Sequence, residues 1–169
     1  MSGLGADQPI RFELRSGSPG DTFEIGRLLG QSLSGGEVIA LSGTLGAGKT
    51  LFCQGLAAGL GIDPSEVSSP TFTIVSEHAG RIPFHHVDAY RLSGAGEGIS
   101  AGLEEILPDA GATAVEWPEN VANLLPNGCY RVTFLLSDDD EARLLSFELP
   151  NQSGSRSFRE RCKRYLTGG

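Results

Sequence analysis

Residues 42–50, SGTLGAGKT, give the strongest indication of fold in this chain. They follow the apolar run at 38–41 and precede a stretch whose apolar residues recur at helical spacing. From Gly43 to Thr50 the order fits G-x-x-x-x-G-K-[ST], a loop whose backbone N–H groups converge on phosphate oxygens. Glycine permits the positive φ angles of such a loop, and the N-terminus of the helix that follows attracts anions. The sequence therefore predicts a phosphate-binding loop between a buried strand and a helix.

Two residues of this loop carry side chains suited to a nucleotide. The Lys49 ammonium would reach the β- and γ-phosphates, and the Thr50 hydroxyl would complete a shell around Mg²⁺. Hydrolysis also needs an acid for the metal and a group that orients water. Asp88 and Glu116 each follow an apolar stretch at an expected strand end, so either one fits a Walker-B acid. The residues leave open which of the two orients the water.

Two histidines precede the first of these acids, in the order His85-His86-x-Asp88. Adjacent residues of a strand point to opposite faces, so both rings cannot join Asp88 in one site. A transition-metal site built on this segment is therefore disfavoured.

The whole chain, 1–169, predicts a single α/β domain: a three-layer, P-loop NTPase-like fold with a mixed, partly parallel sheet and a C-terminal antiparallel hairpin. Within the hairpin, alternation places Val132, Phe134 and Leu136 on one face. The tail predicts a basic helix at about 155–166. The expected strands are 10–16, 37–43, 112–117, 129–136 and 141–149, with two extended runs at 71–78 and 81–92. The expected helices are 18–34, 49–60 and 101–111, with a helical turn at 118–126.

Composition limits the classes of function. The chain is 39% hydrophobic with a net charge of −8, which is ordinary for a globular domain and disfavours a protein that binds nucleic acid tightly by itself. The basic tail at 155–166 fits either a solvated helix face or a contact surface for an acidic partner or RNA.

The same inventory bears on location. We expect no association with a membrane, because no apolar run is long enough to span a bilayer. The N-terminus lacks the pattern of a secretory signal, and Cys53, Cys129 and Cys162 lie far apart. Three separated cysteines indicate reduced thiols and a cytoplasmic protein.

Four motifs occur in a characteristic order: LGAGKT at 45–50, SSPTFTIV at 68–75, HHVDAYRL at 85–92 and VEWPEN at 115–120. The set resembles the TsaE family, also called YjeE, over nearly the whole chain. The resemblance implies a slow, Mg²⁺-dependent ATPase that works with the TsaB and TsaD proteins. Together they form N6-threonylcarbamoyladenosine at position 37 of tRNAs that read ANN codons, with the tRNA contacted through the complex.

Position by position, the resemblance also implies roles for single residues. Lys49, Asp88 and Glu116 would be catalytic, and Thr50, Glu116 and Asp88 would ligate Mg²⁺. Thr71 resembles a switch-like threonine that senses the γ-phosphate, and Trp117 would report nucleotide binding optically. The ATP-binding residues would be Thr22, Leu45, Gly46, Ala47, Gly48, Lys49, Thr50, Thr71 and Arg143.

Other classes of P-loop protein fit less well. A small-molecule kinase usually has an arginine-rich lid, yet only Arg81 and Arg91 lie between the loop and the hairpin. A GTPase is disfavoured because the chain has no N-K-x-D sequence for guanine. The presence of both acids disfavours a non-catalytic nucleotide-sensing module. Neither arginine is placed as a finger, so we expect slow hydrolysis that a partner completes.

Overall fold

The structure, a computed structural model, describes residues 8–44, 46–68, 74–92, 96–97, 102–107 and 110–168. Its described strands form one seven-stranded sheet in the order β1-β7-β6-β2-β5-β4-β3. The strands are β1 (Ile10–Ser16), β2 (Val38–Gly43), β3 (Val75–Ala79), β4 (Pro83–Asp88), β5 (Ala112–Glu116), β6 (Tyr130–Leu136) and β7 (Arg143–Leu149). The helices are α1 (Pro19–Ser32), α2 (Lys49–Gly59), α3 (Leu103–Ile106) and α4 (Ser153–Arg161), with 3-10 turns at Pro64–Glu66, Pro118–Leu124 and Lys163–Tyr165.

The centre of the sheet is parallel and its edges are antiparallel. Strand β2 lies between β5 and β6 and runs parallel to both, and β4 runs parallel to β5. The hairpin of β6 and β7, the pair β1–β7 and the pair β3–β4 are antiparallel. In the parallel part, Glu116 is in register with Leu41 on one side and Asp88 on the other. The carboxyl ends of three strands therefore meet at one edge, where ligands bind in open α/β sheets.

Helices and turns cover the sheet on both faces, which confirms the predicted three-layer α/β class. On one face α1, α2 and α4 pack on a large apolar core that includes stacked Phe12 and Phe147, with ring centroids 5.1 Å apart. On the other face a smaller cluster lies beneath α3 and the 3-10 turn at Pro118–Leu124. The described helices include none that is long and apolar enough to cross a membrane.

Helices α1 and α2 pack backbone to backbone through four glycines. A Cβ built on Gly30 would lie 2.3 Å from the Leu56 carbonyl oxygen, and one built on Gly55 would lie 2.2 Å from the Phe23 oxygen. Gly26 faces Gly55, and Gly30 faces Gly59, so both helices run in the same direction. Their N-termini consequently lie side by side at the end of the fold that carries the loop.

The C-terminal region departs from the sequence prediction in the length of its last helix. Instead of one helix at 155–166, α4 ends at Arg161 and a 3-10 turn follows, because Leu166 leaves the helix to form a bridge with Leu14 of β1. Leu136 is 59% exposed, since it lies in the last pair of β6 beside the hairpin turn and outside the core. The predicted strand residues 71–73 and most of the glycine-rich loop at 93–100 lie outside the described residues.

Candidate functional site

The loop between β2 and α2 has the backbone expected of a phosphate-binding loop. Gly46 (φ +80°) and Gly48 (φ +105°) both adopt the left-handed conformation, which favours glycine. Gly48 is the N-cap of α2, and the Phe52 N–H donates to its carbonyl oxygen at 2.9 Å. The helix thus begins where the loop ends, so its N-terminal N–H groups border the loop. Leu45 lies outside the described residues.

Lys49 is buried at the mouth of this loop. Its ammonium donates to the Gly43 carbonyl oxygen at 2.6 Å and lies 3.7 Å from the centroid of the Trp117 ring. Burial lowers the pKa of Lys49, while the carboxylates of Glu116 and Asp88 act in the opposite direction. These contacts place the loop's cation beside the strand-end acids.

Asp88 and Glu116 are the last residues of β4 and β5 and pair in register. Glu116 is only 4% exposed, whereas Asp88 is half-buried and accepts a hydrogen bond from the Tyr90 N–H at 3.0 Å. The structure therefore brings Lys49, Asp88 and Glu116 to one edge of the sheet, with Thr50 half-buried beside them at the start of α2. Thr71 lies outside the described residues.

A histidine completes this cluster. His86 is fully buried, and its Nε2 lies 2.7 Å from a Glu116 carboxylate oxygen. The alternation of the strand puts His86 on the same face as Asp88, two residues on, so this contact could have been found from the sequence. Sequence reasoning used the alternation only to reject a metal site with both histidines, and it missed the pairing because β4 and β5 are distant in sequence.

Two sets of residues here could hold a metal ion. Ligand atoms of Cys53, His86 and Glu116 lie within 4.8 Å of one another. Burial raises the pKa of the Cys53 thiol well above its ordinary value, and the Glu116 and Asp88 carboxylates raise it further, so this thiol is a poor ligand. The oxygen donors of Thr50, Asp88 and Glu116 are the kind that Mg²⁺ prefers, and they fit that ion better.

Thr22 and Arg143 approach the loop from the side opposite to Asp88 and Glu116. The Thr22 hydroxyl lies 2.7 Å from the Ser16 hydroxyl, and its methyl lies 3.6 Å from the position of a Cβ on Gly48. Ser16 pairs with Arg143, whose Nε donates to the Ala47 carbonyl oxygen at 3.3 Å. The structure thus brings both predicted residues to the loop, and it adds Ser16, for which the sequence offers no signal.

Trp117 has a strained backbone at this site. It is the one non-glycine residue with positive φ (+60°) in the part of the chain that the structure describes. Its ring contacts Tyr90, with centroids 5.0 Å apart, as well as the Lys49 ammonium. The side chain predicted to report nucleotide binding therefore touches the loop's lysine directly.

Together the mixed sheet and this loop define the class of three-layer P-loop α/β domains. The family model described as "Threonylcarbamoyl adenosine biosynthesis protein TsaE" matches residues 16–145, so the chain belongs to the TsaE family. Among curated relatives, the tRNA threonylcarbamoyladenosine biosynthesis protein TsaE of Treponema pallidum is 42% identical over 121 residues, 72% of this chain and 87% of that protein. The protein of the same name from Bacillus subtilis is 37% identical over 135 residues, 79% of this chain and 84% of that protein.

A solved structure supports the same assignment. The crystal structure of YdiB from Bacillus subtilis superposes with a TM-score of 0.73 at 30% sequence identity. The match covers 93% of this chain and 97% of that one. The fold predicted from the sequence is thus confirmed.

Proposed function

We propose that this protein is a Mg²⁺-dependent ATPase that acts in forming N6-threonylcarbamoyladenosine at position 37 of tRNAs that read ANN codons. The observation that carries the proposal is the meeting of Lys49 with Glu116 and Asp88 at the loop, since P-loop ATPases need these groups together. Membership of the TsaE family supports the pathway.

In this proposal the loop binds the phosphates of ATP and Lys49 neutralises the β- and γ-phosphates. To reach them, the ammonium exchanges its bond to the Gly43 carbonyl oxygen for phosphate oxygens. Arg143, already in contact with Ala47, supports the loop from the hairpin. Thr22 and Thr71 complete the nucleotide contacts that the family resemblance implies.

Thr50, Glu116 and Asp88 would hold Mg²⁺, which supplies positive charge against the phosphate oxygens when it is bound. We assign the principal metal contact to Glu116, because it is nearly fully buried and held by His86. Asp88 orients the attacking water, because it is half-buried at the next strand end and has one oxygen engaged by the Tyr90 N–H. Both acids act by position and charge, so no covalent intermediate is required.

The partners in this proposal are TsaB and TsaD. The net charge of −8 favours contact with tRNA through that complex, because a net negative charge opposes binding of phosphates by the domain alone. A partner also completes the catalytic site, since arginine fingers in related chemistry raise rates by roughly 10³–10⁵-fold. The proposed location is the cytoplasm, where tRNA is modified, and the free thiols of Cys53, Cys129 and Cys162 fit it.

The test is ATP hydrolysis in the presence and absence of Mg²⁺, TsaB–TsaD and substrate tRNA. Lys49→Ala should abolish hydrolysis and sustained tRNA modification. The matched control is Lys163→Ala, since Lys163 is the chain's other lysine and lies exposed in an ion pair with Glu160. Hydrolysis indifferent to the partners, or phosphate transferred to a small acceptor, would contradict the proposal and favour a kinase.

A further inference from the structure

We propose that His86 is a positioning residue that fixes the Glu116 carboxylate for Mg²⁺. The inference rests on the proposed function, because that function makes Glu116 the principal metal contact. It adds to that function a residue that does not itself touch nucleotide or metal. His86 therefore affects the affinity for Mg²⁺ and leaves the affinity of the loop for phosphate unchanged.

The hydrogen bond between the two side chains has a defined direction. His86 Nε2 lies 2.7 Å from Glu116 Oε2, and both side chains are buried, with exposures of 0% and 5%. A carboxylate that ligates Mg²⁺ is ionised and can only accept hydrogen bonds, so in the proposed site Nε2 carries the proton and donates it. The bond occupies one carboxylate oxygen and fixes the rotation of the group, which leaves the other oxygen for a cation.

Packing alone does not account for a histidine at this position. The ring stacks on Phe84, with centroids 6.5 Å apart and planes 13° from parallel, an arrangement that an apolar ring would also satisfy. Nδ1 of His86 is buried and has no hydrogen-bond partner in the part of the chain that the structure describes. A buried polar atom without a partner costs free energy, so the ring's contribution lies in the Nε2–Glu116 bond.

The neighbouring histidine provides a matched comparison. His85 is also buried, at 4% exposure, but it points to the opposite face of β4, where its Nε2 lies 3.7 Å from a Glu77 oxygen. The two histidines therefore lie in the same strand, carry the same side chain and are both buried, and of the two it is His86 that contacts the proposed metal ligand.

The experiment measures the binding of ADP, which avoids turnover, with Trp117 fluorescence as the signal. Trp117 is the chain's only tryptophan and lies against Lys49. ADP affinity is measured in EDTA, and the half-saturating Mg²⁺ concentration is then measured at saturating ADP. The variants are His86→Phe, which keeps a ring and removes the donor, and His86→Gln, whose amide nitrogen can replace Nε2. His85→Phe is the control.

We expect His86→Phe to raise the half-saturating Mg²⁺ concentration about 10- to 100-fold, the usual effect of losing a partner of a metal ligand. ADP affinity in EDTA should stay within about 2-fold, because loop and lysine are untouched. His86→Gln should recover most of the Mg²⁺ affinity, and His85→Phe should match the wild type. Equal Mg²⁺ dependence in His86→Phe and the wild type, or equal shifts in the Phe and Gln variants, would overturn the inference alone.

Two further outcomes remain informative. If wild-type ADP binding is indifferent to Mg²⁺, the proposed function fails and this inference fails with it. If His86→Phe does not fold, nitrogen NMR of the wild type decides, because the chain has only three histidines. Adding Mg²⁺ to the ADP complex should then change the chemical shift of His86 Nε2 and leave the chemical shifts of the His85 nitrogens unchanged. Equal changes in both rings would overturn the inference.

Discussion

Two buried carboxylates lie near opposite ends of the parallel strands, and their surroundings differ. Glu37, just before β2, is 9% exposed and accepts hydrogen bonds from the Ser34 N–H at 2.8 Å, the Gly35 N–H at 2.7 Å and the Ser34 hydroxyl at 3.2 Å. Glu116, at the end of β5, is 4% exposed, and among the described residues its side chain has one hydrogen-bond partner, His86.

The difference separates a carboxylate that holds the fold from one kept for a ligand. The Glu37 carboxylate accepts hydrogen bonds from the loop that precedes it, and such bonds stabilise a buried charge. Within the described part of the chain, Glu116 has acceptor capacity left over, beside Lys49 and Asp88. Burial and charge are alike in the two residues, so the number of hydrogen bonds identifies the one at the site.

Removing the charge from Glu116 should have the largest effect. We expect Glu116→Gln to lower partner-stimulated ATP hydrolysis by about 100-fold or more, as for other groups that face developing charge. Folding should be retained, because the amide keeps the size of the side chain. Steady-state hydrolysis and thermal unfolding measure the two effects. Near-wild-type turnover would move the principal metal contact to Asp88.

Glu37→Gln should show the reverse pattern. The amide oxygen can accept fewer and weaker hydrogen bonds than the carboxylate, so we expect unfolding free energy to fall by about 3 kcal/mol. Hydrolysis per folded molecule should stay within about 2-fold of the wild type, because the hydrogen bonds of the Glu37 side chain within the described part of the chain go to Ser34 and Gly35, before β2. Urea unfolding, paired with activity measured on the folded fraction, tests this. A loss of activity with unchanged stability would remove the contrast between the two carboxylates.

The packing that places the loop can be tested with alanine at two glycines. Gly55→Ala would put a Cβ 2.2 Å from the Phe23 carbonyl oxygen and should destabilise the protein by about 1–3 kcal/mol, the usual cost of overpacking. Gly20→Ala, in the first turn of α1, meets nothing closer than 3.7 Å and should be neutral or stabilising by up to about 1 kcal/mol.

ADP affinity adds a second readout to this pair. Separation of α1 from α2 moves Thr22 away from Gly48, so Gly55→Ala should also weaken ADP binding, whereas Gly20→Ala should not. Urea unfolding and the fluorescence titration measure both quantities. Equal stability in the two variants would mean that the helices are not held at the distance that the glycines permit.

Sequence reasoning found the parts of the site that are local in the chain. The loop from Gly43 to Thr50 and the strand ends at Asp88 and Glu116 follow from short-range rules. The contacts between distant parts of the chain do not follow from such rules, because His86 to Glu116 and Arg143 to Ala47 need strand order and register. The alternation of β4 puts His86 and Asp88 on one face, but the parallel pairing of β4 with β5, which brings Glu116 beside them, carries no local signal.

The smallest expected signal is the labelling of the three thiols, which tests whether water reaches the buried side of Glu116. Burial raises the pKa of all three thiols above the ordinary value for cysteine. The pKa of Cys53 is raised well above that value, and the pKa of Cys162 is raised to about 12. A raised thiol pKa favours the neutral form, so the thiolate that reacts is scarce near pH 8, and native protein should react with iodoacetamide negligibly. The stability these neutral thiols contribute is present below pH 9 and falls as the pH rises toward 12.

Mass spectrometry of native and urea-unfolded samples measures the labelling, with the unfolded sample as the positive control. Selective labelling of Cys53 in the native state would show water reaching the back of the Glu116 site, and it would argue that Glu116 is solvated like a surface acid.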